Sequence, residues 1–251
     1  MPDVRNKRAS GRSAAVDAQI ASREPVLGQS PRLARRKHET RVRLLNATFR
    51  LVTEKGMDSV TIGEITDAAD VGFGSFYNYF ESKEGILAAL VDWLFEDFAN
   101  RLDGVTTGLA DPAEVIAVSV RHTLLRACRE PVWGQFLIRE GLSTRALSTG
   151  LGQRLLRDAA IGISRKRFMI ADELICVVSA IGTVIAGVAA ELDMSASSMR
   201  TVRPRKVLRS KVDRFAERTA AIVLQGFGLK RLEAEKIARR PLPAAPEDVA
   251  G

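Results

Sequence analysis

The sequence predicts an all-α protein, in which an N-terminal three-helix unit joins a larger helical body. Three observations carry that expectation. Apolar residues recur at helical spacing through most of the 251 residues, which gathers them on one face of each helix. No internal repeat and no strand-like alternation is visible. Pro112, Pro131, Pro204, Gly56, Gly104 and Gly226 fall between the periodic segments, where such residues start and stop helices.

A chain of this length holds one large domain or two modest ones, with ample material for a core. Hydrophobic residues make up 46% and charged residues 27%, the balance of an ordinary soluble globular protein. The formal net charge is +8, and residues 1–43 hold eleven Lys or Arg against four Asp or Glu. A cationic N-terminal end points to a polyanionic partner. Cys128 and Cys176 lie in apolar helical runs, as buried thiols do, and form neither a metal-ligand spacing nor a disulfide framework. The start lacks the apolar core of a secretory signal. Residues 174–190 are seventeen positions without a charge. They fall short of a comfortable membrane span and are expected as a buried helix, so the reading is a cytoplasmic protein with no membrane contact.

Residues 1–35 mix Arg, Ser, Gly, Ala and Pro without periodicity and read as a disordered basic arm. A first helix is expected from Arg36 to Lys55, stopped by Gly56, with Leu45, Phe49 and Val52 facing inward. Thr61 and Glu64 then have the spacing of a capping box, and Ile62, Ile65 and Ala69 follow at helical spacing. Asp70-Val71-Gly72 breaks this short helix, because Asp and Gly accept a left-handed backbone. A second short helix carries Phe76 and Phe80 on one side and Ser75, Tyr77, Asn78 and Tyr79 around the rest. Two short helices across a tight turn make a helix-turn-helix. Tyr77 and Tyr79 are all the tyrosine in the chain, and Tyr, Asn and Ser suit phosphates and base edges. Arg41 and Arg43 are further candidate phosphate contacts.

Ser82 is placed to cap a long helix to about Leu102, with Ile86, Leu90, Leu94, Phe95 and Phe98 on its inner side. This helix starts in the N-terminal unit and ends in the body. Asp111 followed by Pro112 opens the next helix, to Arg129. Shorter helices are expected at Pro131–Arg139 and Thr144–Ile163, then the apolar helix from Asp172 to Leu192, a polar connection (DMSASSMR), and a last helix from Pro204 to Leu224. The domains are therefore expected at 1–35 (arm), 36–83 (helix-turn-helix), 84–229 (helical body) and 230–251 (flexible tail). His38 and His122 are the only histidines; neither has a paired nucleophile at helical spacing, and no phosphate loop or metal motif is present. The expectation is no enzyme, no cofactor and no metal site.

Thr61 and Ile62, then Val71, Gly74-Ser75-Phe76-Tyr77, Tyr79-Phe80 and Ser82-Lys83-Glu84, form a long motif that resembles the DNA-binding domain of the TetR (tetracycline repressor) family of transcription regulators. The resemblance is close over residues 37–84 and extends to the rest only in helical layout. It implies a recognition helix over Phe73–Tyr79, with Phe73, Gly74, Ser75, Tyr77 and Asn78 facing the groove of a double-stranded DNA operator. It also implies phosphate contacts from Thr61, Tyr77, Tyr79 and Lys83; Thr61 and Lys83 lie at helix N-termini, where free N–H groups favour anions. Three positions depart from the usual pattern: Thr66 stands for a small Ala, Asp70 for a turn Gly, and Gly72 for a capping Ser or Thr.

The same resemblance implies a homodimer, usually a repressor, whose body encloses a small hydrophobic effector. Ser179, Gly182, Ala186, Gly187 and Ala190 with Val212, Phe215, Ala216, Ile222 and Val223 are candidates for the dimer seam. Leu94, Phe98, Leu124, Leu125, Cys128, Trp133, Phe136 and Leu137 are candidates for the effector pocket. The alternative is a small-molecule-binding helical protein or enzyme that does not act through DNA.

Overall fold

A computed structural model describes residues 31–143, 147–198 and 205–244, and among them ten α-helices and no strand. In chain order these are α1 (Pro31–Lys55), α2 (Ile62–Ala68), α3 (Phe73–Phe76), α4 (Lys83–Thr106) and α5 (Pro112–Arg129). They continue with α6 (Pro131–Glu140), α7 (Gly150–Ser164), α8 (Glu173–Ser198), α9 (Arg205–Gly226) and α10 (Arg231–Ala238).

The expected caps start their helices. Thr61 accepts a hydrogen bond from the Glu64 N–H at 3.3 Å, and the Glu64 carboxylate accepts from the Thr61 N–H at 3.1 Å. Each bond satisfies a backbone donor that a helix start leaves open. Ser82 Oγ accepts from the Gly85 N–H at 3.1 Å, and Asp111 Oδ1 from the Ala113 N–H at 3.0 Å. Asp70 takes the left-handed conformation (φ 52°) that turns α2 toward α3.

Several boundaries differ from expectation. The first helix begins at Pro31 rather than Arg36, since proline is well placed where no N–H is needed; the rest of the expected arm lies outside the described residues. Gly104 stays within α4, which runs to Thr106. The segment expected to be helical from Thr144 has its regular helix from Gly150. The polar DMSASS stretch continues α8 to Ser198 instead of ending it. The basic run from Arg200 to Lys211 lies outside the described side chains.

Residues 230–244 do not form a loose tail. The α10 side chains Ala234, Ile237 and Ala238 are buried, and α10 packs on α9 and α5. Beyond it, Arg121 donates to the Arg240 carbonyl at 2.6 Å, and His122 Nε2 lies 3.0 Å from the Pro243 carbonyl. The buried positions of α10 have helical spacing, but two of the three are alanine, so the segment carries little apolar signal in the sequence.

Helices α1 to α3 and the start of α4 share a small core of Leu44, Leu45, Val52, Ile65, Phe76, Phe80 and Ile86, all buried. Full burial of each large side chain contributes about 1.5–3 kcal/mol. Phe49, expected among them, is only partly buried and borders a shallow groove with Arg43, Asn46, Arg50, Ala68 and Ala69; Leu44 and Thr48 take the inner positions instead. In the body, α5 is central, packed by α4, α6, α7, α8, α9 and α10. Its Arg126 guanidinium lies 4.8 Å from the rings of both Phe98 and Trp133, which ties α4, α5 and α6 together through cation–π contacts.

Candidate functional site

The helix-turn-helix divides its side chains cleanly. Phe76 and Phe80 close the core, whereas Phe73 (56% exposed), Gly74, Ser75, Tyr77 (52%) and Asn78 stand in solvent. α3 itself is one turn, Phe73–Phe76, prolonged by tight turns in which Asn78 donates to Ser75 O and Tyr79 to Phe76 O. Gly72 caps it without a side-chain bond. A Cβ at Gly74 would meet nothing within 4 Å, so the surface there is open to close approach. Tyr79 is partly buried against the core, which limits it to an edge contact. Thr66 is buried and satisfies its hydroxyl on Ile62 O and Gly63 O, at 3.1 and 2.8 Å, so the larger residue leaves no polar atom unpaired.

The expected phosphate contacts are partly occupied. The Thr61 hydroxyl also donates to Glu64 at 3.0 Å. Glu64 is held below the usual carboxylate range, first by its Lys55 hydrogen bond and then by Thr61. Lys83 Nζ donates to the Asp58 carbonyl at 2.8 Å, leaving its other N–H groups to reach an anion. Arg41 and Arg43 are both exposed but diverge: Arg41 lies over the Phe80 ring at 5.2 Å, while Arg43 borders the Ala68–Ala69 end of α2. Arg41 thus lies beside the ring that closes the helix-turn-helix core, and Arg43 beside the end of α2.

In the body, a cavity lies between the second half of α4, α5, α7 and α8. Its space for water centres is about 90 Å³, several times what a single water needs. Most of its wall is apolar: Phe95, Leu102, Ile116, Val120, Leu155 and Ile185. One end is charged. Arg154 of α7 donates to Asp103 at 3.1 Å and to Glu96 and Asn100 at 2.7 Å. Arg157 bonds Asp103 at 2.7 Å and Asp158 at 2.9 Å. Burial pushes Asp103 up, but its two arginines outweigh burial and hold it below the usual carboxylate range. For Asp158 burial wins and the carboxyl is raised despite Arg157.

Of the eight side chains expected around a pocket, Leu137 lines this cavity. Leu94, Phe98, Leu124, Trp133 and Phe136 are core, and Leu125 and Cys128 are partly buried away from it. Burial pushes the Cys128 thiol up to about 11, with Glu191 adding to the shift, so it remains protonated. Sequence reasoning missed Asp103, Thr106, Ser119, Thr123, Arg154 and Asp158. The available signal was polar residues set into otherwise apolar stripes, as Ser119 and Thr123 are on α5.

Helix α8 is long and apolar enough to cross a membrane by length and composition. Its Val177, Ala180, Ile185 and Val188 are buried in the bundle, yet Leu174, Ile175 and Val178 are exposed. It is therefore half covered rather than buried. Among the candidate seam residues, Ser179, Ala186, Ala190 and Ile222 are exposed, while Gly187, Ala216 and Val223 are inside the chain.

Residues 44–90 match the tetR family of bacterial regulatory proteins, and residues 111–240 match the tetracyclin repressor-like C-terminal domain. The chain belongs to the TetR family. The structure of RolR in complex with resorcinol is similar to it, with 34% identity, coverage of 84% of this chain and 99% of RolR, and a TM-score of 0.65. The repressor NemR of Escherichia coli K12 is 29% identical over 94 residues, 37% of this chain and 47% of NemR. KstR of Mycobacterium tuberculosis H37Rv is 29% identical over 114 residues, 45% of this chain and 52% of KstR. The chain spans about half the length of these curated repressors.

Proposed function

We propose that this TetR-family protein is a homodimeric DNA-binding repressor that a small, largely apolar, hydroxyl-bearing molecule releases from its operator. The observation that carries the reading is the path of α4. Its Ser82 cap lies in the helix-turn-helix, and its Leu102, Asp103 and Thr106 line the cavity. A ligand in the cavity therefore touches the helix on which the DNA-reading unit rests.

Phe73, Ser75, Tyr77 and Asn78 are exposed together and offer an apolar edge for a thymine methyl and polar groups for bases and phosphates. Thr61 and Lys83 flank them at helix starts, and Arg41 adds charge beside Phe80. Arg43 has a lesser role. The exposed residues Ile175, Ser179, Ala186 and Ala190 and the half-buried Gly182 on α8, with the exposed Ile222 on α9, fit a dimer seam, because small residues let helix axes approach closely. Two recognition helices held by that seam would read half-sites spaced by helical turns of DNA.

The cavity suits one small ring. Its apolar wall covers the ring, and Asp103, Arg154 and Asp158 sit where a hydroxyl would bond. The resorcinol bound by RolR is of that class. The ligand acts by favouring the arrangement of α4 unfit for DNA. The test is a gel shift with DNA flanking the protein's own gene, with and without resorcinol and other one-ring phenols. A salt-sensitive, sequence-selective complex that such a compound dissolves is expected. Lack of any selective complex, there or with DNA selected from the genome, would sink the proposal.

A further inference from the structure

A second hollow, with about 120 Å³ of space for water centres, lies outside the cavity. It is bounded by Leu109 and Ala110 of the α4–α5 turn, Pro112 at the start of α5, Ile161 of α7 and Arg165, the residue that caps α7. Asp158 lines both spaces. A carboxyl group that faces an inner and an outer hollow stands at the neck between them. We propose that this neck is the passage by which the effector enters and leaves, with Arg165 as its latch. The proposal rests on the cavity being the effector site.

The turn is held by local bonds, Thr107 Oγ1 to Asp103 O at 2.7 Å and Leu109 N to Thr106 O at 3.1 Å, and by one bond from α7's C-terminal cap. On one side α4 ends with Thr106 Oγ1 bonded to Leu102 O at 2.8 Å. On the other, Asp111 is fixed as the cap of α5 and by Arg167 at 2.8 Å. Between these anchors lie Thr107, Gly108, Leu109 and Ala110, with Gly108 in the left-handed region at φ 89°. Arg165 Nη1 donates to the Ala110 carbonyl at 3.1 Å, an exposed bond. Such a bond competes with water and contributes little net stability, so it breaks often without loosening the core. Ile161 stands one turn earlier on the same side of α7 and narrows the outer mouth.

The test reads access to the cavity without using effector or DNA. Ser119, on the cavity wall, is replaced by cysteine, and its rate of modification by neutral methyl methanethiosulfonate is followed by mass spectrometry. Cys128 and Cys176 serve as internal references. Adding Arg165→Ala should raise the rate at position 119 by roughly 2- to 10-fold, the effect of one exposed hydrogen bond, and leave the references unchanged. Adding Ile161→Trp should lower it. Thr123→Cys, on the same wall, repeats the measurement if Ser119→Cys does not fold. Rates at 119 or 123 that ignore both Arg165→Ala and Ile161→Trp would overturn the passage. Resorcinol binding, measured separately by calorimetry, tests whether the cavity is the effector site.

Discussion

Arg154 of α7 donates through Nε to Asp103 of α4 at 3.1 Å, and the pair forms part of the cavity wall. The same guanidinium spans Glu96 and Asn100, so one side chain grips α4 over two turns. A ligand hydroxyl at this end competes for groups that hold α7 to α4.

Arg154→Met should therefore separate stability from response. The carboxylates are partly exposed, so the charged hydrogen bonds are screened, and a loss of about 1–3 kcal/mol is expected. Urea unfolding measures it. Operator affinity without ligand should change little, whereas the ligand concentration needed to release DNA should rise at least about tenfold, equivalent to one lost charged bond. A variant released by ligand as the parent is would show that Arg154 takes no part in the response.

Phe76 and Phe73 are three residues apart and should behave oppositely. Phe76 is fully buried, and Phe76→Ala should cost about 3–5 kcal/mol through the cavity it leaves. Phe73→Ala removes an exposed ring and should shift stability by no more than about 0.5 kcal/mol while weakening operator binding. Thermal melting and gel shift on the same two variants decide the matter.

Asn78→Ala should relax base preference at one operator position, by about 1–3 kcal/mol of discrimination. Lys83→Ala should weaken binding to all sequences alike and reduce the salt slope by about one. It should also lose the bond to Asp58 O, so its stability is measured alongside. Binding titrations at several salt concentrations distinguish base reading from phosphate contact.

Ile222→Glu should raise the dimer dissociation constant. The residue is 57% exposed on α9, so a charge there is solvated in the single chain but desolvated and opposed by its own copy in a two-fold seam. Sedimentation velocity over a range of concentrations reads the change; an unaltered dimer would place the seam elsewhere.

The two carboxyls at the cavity give opposite pH dependence. Asp103 has a lowered value when folded, so its contribution is present above the ordinary carboxylate value near about 4 and is lost as pH falls through its lowered value. Asp158 has a raised value, so its folded state favours the proton and its contribution is lost as pH rises through that value. Asp103→Asn should thus flatten the fall in stability below about pH 4, and Asp158→Asn should flatten a slope of opposite sign above it. Urea midpoints across pH 2 to about 7 test both.

The helix-turn-helix was legible because its signals are local. Thr61 and Glu64, Asp70, Ser82, and the division between Phe76 and its exposed neighbours each depend on residues a few positions apart. The cavity was not, because Asp103, Ser119 and Asp158 are far apart in sequence and meet only when three helices pack. The apolar residues chosen for a pocket were apolar because they are core: Trp133 and Phe136 are fully buried. Phe49 misled for a related reason. Its spacing fits the inner stripe, but Leu44 and Thr48 fill the inner positions and leave it at the rim beside Ala68 and Ala69. The packed segment after Gly228 was missed because its docking uses backbone carbonyls, Arg240 O and Pro243 O, which every residue possesses and no pattern reveals.

The length of α4 has a mechanical consequence. Its 24 residues span about 36 Å as a nearly rigid rod, and Leu94, Phe95 and Phe98 near its midpoint are buried. Its buried side chains run from Ile86 at one end to Leu102 at the other, so on the proposed reading a displacement near Asp103 is carried along the rod to the Ser82 end. In a two-fold dimer both rods would move together, and the separation of the two DNA-reading units would change by the sum of their displacements. Rearrangement around a ring bound in the cavity would thereby become a spacing error against the fixed pitch of DNA.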